Sequence, residues 1–289
     1  MPELPEVETM CRGIRPIIGQ RVRTITQPPC GCRPCTIQPS IDEMQRQLAG
    51  QSIVAIERRG KRVMILFENA FRLVIEPRMS GLVLLAEPPG VDHLRLRIDF
   101  VGKHATVPGP LFVWDRRGLG TIRLMSPSEY ETQVNERLGE DALTISMETL
   151  RTRLRDSTRP IKVALLDQTA VAGIGNLYAS EILFVAGIDP RLTCAKMTQM
   201  QWKRLHLAIG IVLNEAVAHE GSTLSDGTYR NALNDPGSYQ NMHRVYDRAG
   251  ETCRRCNAGV IVRIVQAQRS TFYCPVCQRR SGKHASIAV

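Results

Sequence analysis

Four cysteines near the end of this 289-residue chain constrain its fold most tightly: Cys253-x2-Cys256, seventeen residues, then Cys274-x2-Cys277. Two knuckles at this spacing close a β-hairpin around one tetrahedral Zn2+. Four thiolates leave no coordination position open, so the metal is expected to be structural. Val260, Ile261, Val262 and Ile264 supply the first strand, and Arg269 falls near the hairpin tip, ahead of TFYC. An arginine there can reach a phosphate, or it can simply be solvated. The other five cysteines make the total odd, in a chain with no basic and apolar leader. That argues against a disulfide framework and for the cytoplasm or nucleoid. No apolar stretch has the length of a membrane span.

The chain opens MPELPEVE. Removing Met1 would leave Pro2 as a terminal secondary amine, titrating near ~7.7–8.0 rather than the ~10.4 of a lysine. Part of it is then neutral and nucleophilic at pH 7. A secondary amine that attacks a sugar carbon must become a cationic iminium, an electron sink for breaking bonds further along the sugar. Glu3 and Glu6 lie close enough in sequence to move protons. The same residues also make an ordinary helix start, with proline in the first turn and acidic side chains complementing the dipole.

A formal charge of +10 and a pI near 9.4 point to a polyanionic partner, most often nucleic acid. A short helix over 3–12, ending near Gly13, leads into a β-rich region. Segments 63–68, 71–76, 82–87, 93–100, 111–114 and 121–125 are short apolar or alternating runs bounded by turn residues. Within 93–100 the alternation puts Leu94, Leu96, Ile98 and Phe100 on one face. Six or more such strands predict a two-layer β-sandwich carrying the N-terminal helix. Composition changes near residue 127, and helical periodicity follows at 147–155, 161–168, 177–186 and 198–220. In the last of these Trp202, Leu205, Ile209, Val212, Leu213 and Ala216 share a face, with Gly221 as the stop. Residues 222–243 are polar and aperiodic, a functional lid or a disordered loop. The tail after Cys277 is expected to fray.

Three further motifs carry chemistry. In AGIGNLYASE (172–181) the glycines make a tight turn, Asn176 can cap the following helix, and the helix-start amides can hold a phosphate. A plain helix–turn–helix bend fits the same spacing. RRGKR (58–62) offers Lys61 as a phosphate or catalytic lysine, or is a solvated basic turn. Met79 in RMSG and Arg117 with Leu119 in DRRGLG end strands. An apolar wedge plus an arginine is what a protein needs to enter a base stack and fill a vacancy.

Taken together and in order, MPELPEVETMCRG, RRGKR, RMSG, AGIGNLYASEILFVAGIDP and the knuckles with AQRSTFYC resemble the formamidopyrimidine-DNA glycosylase family, from residue 1 to about 278. The sister branch, endonuclease VIII, typically opens MPEGPE and lacks the ELPEVET continuation. The resemblance implies an α+β protein: an N-terminal helix on a two-layer β-sandwich (1–130), a connector (131–146), a helix–two-turns–helix domain (147–243) with 222–243 capping the lesion, a zinc finger (244–278) and a tail (279–289). It implies a monomeric glycosylase and lyase acting on duplex DNA, which flips out an oxidised purine such as 8-oxoguanine, excises it and nicks the strand by successive eliminations. Pro2 would form the Schiff base, Glu3 would donate a proton, Lys61 would assist the first elimination, and Arg269 would bind phosphate and serve the second. Met79, Arg117 and Leu119 match the intercalating trio, Asn176 the phosphate-binding turn, and His93 and Lys162 further DNA contacts. Endonuclease VIII-like chemistry on oxidised pyrimidines is one competing reading, and a non-catalytic zinc-finger protein that binds damaged DNA is another. The chain departs from the family pattern at Leu119, where phenylalanine is usual, at Gly118, where a second basic residue is usual, and at Thr158, where many members have lysine. CGCRPC (30–35) is foreign to that pattern. With Cys11 it could make a second metal site, whereas Cys194 reads as core.

Overall fold

The computed structural model describes residues 2–101 and 109–279. The expected tail therefore lies, from residue 280 on, outside the described residues. The chain divides into two compact units, Met1–Arg137 with Val217–Gln240, and Leu138–Ala216 with Asn241–Val289.

In the first unit, helix α1 (Leu4–Gly13) precedes strands β1 (Val22–Thr26) and β2 (Thr36–Gln38), helix α2 (Ile41–Leu48), and strands β3 (Ile53–Arg59), β4 (Arg62–Phe67), β5 (Arg72–Glu76), β6 (Gly81–Leu84), β7 (Leu94–Phe100), β8 (Leu111–Asp115) and β9 (Thr121–Met125). A short helix α3 (Pro127–Tyr130) closes the run. The strands form two sheets, ordered β1-β7-β8-β6 and β2-β9-β5-β4-β3, antiparallel except that β2 runs parallel to β9. One core joins them: Val63, Ile65, Leu73 and Ile75 from one sheet, Leu82, Leu96, Ile98 and Val113 from the other, with Val7, Met10 and Ile14 of α1. This is the two-layer sandwich with its N-terminal helix.

Periodicity left β1, β2, α2 and β3 unread. Helix α2 buries only Met44 and Leu48, one turn apart, with Ile41 partly buried beside them, and is otherwise polar. Its start depends on the Ser40 hydroxyl, which accepts from the Glu43 N–H. Strand β7 buries the expected Leu94, Leu96, Ile98 and Phe100, but its pairing with β8 shifts register between Leu94 and Leu96, and Arg95 at that irregularity is also buried, only 2% exposed.

The second unit contains β10 (Glu140–Asp141), α4 (Met147–Leu154), α5 (Ile161–Leu165), β11 (Val171–Ala172), α6 (Asn176–Ala186) and most of α7 (Gln199–Ala218), then the hairpin β12 (Val262–Gln266) and β13 (Arg269–Tyr273). The expected face of α7, from Trp202 to Ala216, is buried throughout. The left-handed stop falls first on Glu220 (φ 57°) and then on Gly221 (φ 77°). Helix α6 is buried nearly all round. Its one carboxylate, Glu181, is fully buried and accepts the backbone N–H groups of Arg244, Val245 and Tyr246 at 2.8–3.1 Å. Burial pushes the Glu181 carboxyl up, against the pull of those three donors and of Arg244. The carboxylate thereby ties the chain entering the zinc finger to the helical core.

Glu181→Ala removes the shared acceptor of three N–H groups, that of Val245 buried and those of Arg244 and Tyr246 part-buried, each loss costing about 1–3 kcal/mol. Urea unfolding of the variant should show a loss of at least about 3 kcal/mol, and a loss below about 1 kcal/mol would contradict this role.

Candidate active site and nucleic-acid interface

In the first unit the N-terminal motif is a helix start whose polar groups are almost wholly buried. Glu3 is the N-cap of α1, and it forms a reciprocal capping box with Glu6, whose Oε2 accepts the Glu3 N–H at 2.9 Å. Pro2 is buried beside them, and Glu3 and Glu6 are 3% and 2% exposed. The second Glu6 oxygen accepts the Ser222 N–H at 2.8 Å. The Tyr229 hydroxyl donates to the Glu220 carbonyl at 3.0 Å and lies 3.4 Å from that of Glu6. Burial, with the charges of Glu6 and Glu220, raises the Tyr229 phenol well above its ordinary value, so it remains a donor.

The segment expected as a lid is pinned at several points. Ala232 accepts from the Leu85 and Ala86 amides, Thr223 bonds the Gln240 side chain and the Gly237 amide, and Asn231 donates to Glu220. Tyr229, Ala232 and Tyr239 are buried. Exposed residues include a run at Ser225, Asp226 and Gly227, where Gly227 turns at φ 61°, and Leu233, Asp235, Pro236 and Ser238 further on.

Lys61 follows Gly60 (φ 60°) in the β3–β4 turn and is half-buried. Arg58 braces that turn against α1, donating to Glu8 at 2.9 Å and to the Gly60 carbonyl at 3.1 Å. Burial works to raise the Glu8 carboxyl, but Arg58 and Arg12 outweigh it and hold the group below its ordinary value.

The two loops of this unit that were expected to form the wedge are joined. Arg78 takes a left-handed conformation (φ 54°), and Gly81 closes the turn onto Pro77, leaving Met79 at its crest, 37% exposed. Asp115 organises the second loop: one carboxylate oxygen accepts from the Ser80 hydroxyl at 2.6 Å and the Arg117 amide at 3.2 Å, the other from the Gly120 amide at 2.8 Å. Arg117 is exposed and Leu119 half-buried. His93 instead sets its ring edge against Trp114, with centroids 5.4 Å apart.

The second unit gathers a separate basic cluster. Lys162, 0% exposed, donates to the Asn176 carbonyl oxygen at 2.5 Å, and the Asn176 amide donates to the Ser270 carbonyl at 3.0 Å. Asn176 therefore does not cap α6; Gly175 is the N-cap, and the Asn176 side chain ties the helix start to the zinc hairpin. Arg269 sits exposed at that hairpin's tip, just after Ala267 and Gln268, both left-handed (φ 46° and 60°), as a two-residue hairpin turn requires. Arg159, beside Thr158, is engaged with Asp167 at 2.9 Å.

The four knuckle sulfurs all lie within 4.8 Å of one another, and Cys253–Cys277 and Cys256–Cys274 are each 3.8 Å apart. A zinc–sulfur bond of about 2.3 Å in a tetrahedron sets sulfurs about 3.8 Å apart. A Cβ on Gly259 would sit 2.7 Å from the Cys274 sulfur, so the knuckle admits no side chain there. The donor set fits one structural zinc ion. Among the described residues no other group of three or more His, Cys, Asp or Glu gathers so, and the second metal site does not form. Cys11 faces the Glu57 carbonyl inside the core, where burial pushes its thiol up to about 12. Cys194 is buried, as expected.

Three family models match in chain order: the formamidopyrimidine-DNA glycosylase N-terminal domain over residues 1–122, the formamidopyrimidine-DNA glycosylase H2TH domain over 138–228, and the zinc finger found in FPG and IleRS over 250–280. A formamidopyrimidine-DNA glycosylase of Chloroflexus aggregans is 39% identical over 282 residues, spanning 96% of this chain and 98% of its own length. The chain belongs to the formamidopyrimidine-DNA glycosylase family. Similar solved structures include a variant of the Lactococcus lactis family member bound to DNA containing Fapy-dG, at 33% identity, TM-score 0.83, and 96% and 100% of the two chains. Another is MutM in complex with DNA containing carbocyclic 8-oxo-G, at 32% identity, TM-score 0.82, and 96% and 100% coverage. Among the described residues no helix is long and apolar enough to cross a membrane.

What the motifs did not announce is how they are held. Ser222, Glu220 and Tyr229 lie in a polar stretch with no periodicity, and Arg95 sits where strand alternation assigns solvent. No local pattern marks either.

Cys274→Ser should release zinc and disorder the hairpin carrying Arg269. Metal analysis and DNA titration check this, with lost zinc and weakened binding expected together. A zinc-free variant of unchanged affinity would contradict it.

Proposed function

We propose that this chain is a bifunctional glycosylase and lyase of base excision repair, acting as a monomer on duplex DNA in the nucleoid and removing oxidised purines such as 8-oxoguanine and formamidopyrimidines. The observation that carries this reading is the buried Glu3–Glu6 pair beside Pro2. With Met1 trimmed, the Pro2 amine attacks C1′ and the bond to the damaged base breaks, the base leaving with a proton. The C1′–O4′ bond then opens, O4′ taking up a proton, to give the cationic iminium; a base removes the C2′ proton that the iminium acidifies, and the 3′-oxygen leaves. A second elimination takes a proton from C4′ and expels the 5′-oxygen, and hydrolysis of the iminium returns the amine. Glu3 is the proton donor at the sugar, and Lys61 serves the first elimination.

Flipping costs a few kcal/mol, least at a damaged base. Met79 and Leu119 fill the vacancy, and Arg117 offers donors to the orphaned base. Leucine lacks the flat face that stacks on a base, so Met79 carries more of the insertion here. Lys162, Asn176, Arg269 and His93 serve phosphate and DNA contacts, and the zinc holds the hairpin that presents Arg269. The part of 222–243 that covers the flipped base centres on residues 224–228, because Ser222, Thr223, Asn231 and Ala232 are hydrogen-bonded within the first unit.

The test is chemical. Protein that retains Met1 has an amide in place of the amine, so it should lose glycosylase and lyase activity together, while Pro2→Gly, a primary amine, should retain cleavage at abasic sites. Borohydride trapping on a duplex with one 8-oxoguanine reads both. Undiminished trapping by N-terminally blocked protein would remove Pro2 from the mechanism.

A further inference from the structure

Two features outside the family pattern, CGCRPC and Gly118, meet in the first unit. Arg95, buried where β7 shifts register, bonds Cys30 of the first and the root of the loop that carries the second. Its Nε and Nη2 both donate to the Asp115 carbonyl, at 2.9 and 2.7 Å. Its Nη1 donates to the Cys30 sulfur at 2.9 Å, and that thiol in turn donates to the Asp92 carbonyl at 2.8 Å. Asp115 is the root of the loop bearing Arg117 and Leu119, and its carboxylate already organises that loop and the Met79 turn through Ser80. The guanidinium thus grips the main chain from behind while the carboxylate shapes it from in front.

The same segment presses on the loop further along. Gly118 adopts φ 60°, and a Cβ there would meet the Arg33 carbonyl oxygen at 2.1 Å. The Thr36 amide donates to the Gly120 carbonyl at 3.3 Å, where β2 joins β9. Cys35, Arg95, Asp115 and Gly120 line one small internal cavity. Residues 30–36 therefore run along the loop from root to end, and they occupy the space that a side chain at 118 would need.

We propose that Arg95 and Cys30 are positioning residues for the DNA-inserting loop 116–119, and that segment 30–35 is a brace that holds this loop rigid in place of a basic side chain at 118. The inference rests on the wedge reading given under the proposed function. A loop driven into a base stack must not yield, and one ordered before binding loses less freedom on insertion. Rigidity matters more here because Leu119 cannot recover the loss by stacking. Neither Arg95 nor Cys30 touches DNA in this account; both act through the Asp115 main chain.

Arg95→Met, Arg95→Lys and Cys30→Ala separate this role from a general one. Each is measured in single-turnover excision of 8-oxoguanine opposite cytosine, with 2-aminopurine beside the orphaned cytosine reporting insertion, and in cleavage of an abasic site in single-stranded DNA, which has no stack to enter. Arg95→Met should slow duplex excision about tenfold and blunt the fluorescence change, with Arg95→Lys recovering part of both and single-stranded cleavage staying within about twofold of the parent. Cys30→Ala, at a partly exposed position, should show the same pattern more weakly and keeps the test open if Arg95→Met fails to fold. Parental rates on the duplex for both Arg95→Met and Cys30→Ala, or equal losses on the two substrates, would overturn the brace. A parent protein inactive on both substrates would instead overturn the proposed function on which it rests.

Discussion

The arrangement of the first unit depends on how the start of α1 satisfies its backbone. The first turn of any helix leaves N–H groups without partners, and burial makes each one costly. Here Glu3 and Glu6 answer that demand reciprocally, and Glu6 has a second oxygen left to receive Ser222 from a segment 216 residues further on. A local requirement of helix geometry thus becomes a long-range tie. It places two buried carboxyl groups at the terminus that carries Pro2, and it fixes the start of the loop that leads to the exposed tip at 225–227. A Cβ on Gly221 would meet the Glu6 side chain at 2.8 Å, so the approach is as close as the backbone allows.

The second unit solves a comparable problem with different chemistry. A short hairpin has too little apolar surface to hold itself, and this one packs Ile261, Phe272 and two cysteines against Phe184 and Val245, with Tyr273 also buried. Zinc supplies the remaining constraint. Lys162 and Asn176 then bind the hairpin backbone at Ser270, next to Arg269. Metal, lysine and amide together hold an exposed arginine on a strained turn, and a flexible surface loop would not hold it so.

Much of this was legible in the sequence, and for stated reasons. Strands that bury one or both faces leave runs or alternations, so β4 through β9 were readable, as was α7 with its face from Trp202 to Ala216. The cysteine spacing announced its metal because four ligands at two knuckles leave few other geometries. Helix α2, with two buried residues in eight, carried too little pattern to read. Asn176 was expected as a helix cap, but a nearby lysine and a carbonyl compete for its side chain and win. Arg95 escaped because β7 shifts register between Leu94 and Leu96, which alternation does not mark, and because the segment from Cys30, distant in sequence, bonds it. The contacts that hold the wedge loop and the capping segment are between distant stretches, and no local pattern encodes them.

We propose that the amine of Pro2, set beside two buried carboxyl groups, is the group that joins the sugar. Tandem mass spectrometry of the borohydride-reduced complex with a duplex containing one 8-oxoguanine locates the bond directly. The reduced sugar fragment should be carried on the N-terminal peptide, on the Pro2 nitrogen of protein lacking Met1. A fragment found instead on Lys61 or Lys162 would contradict it.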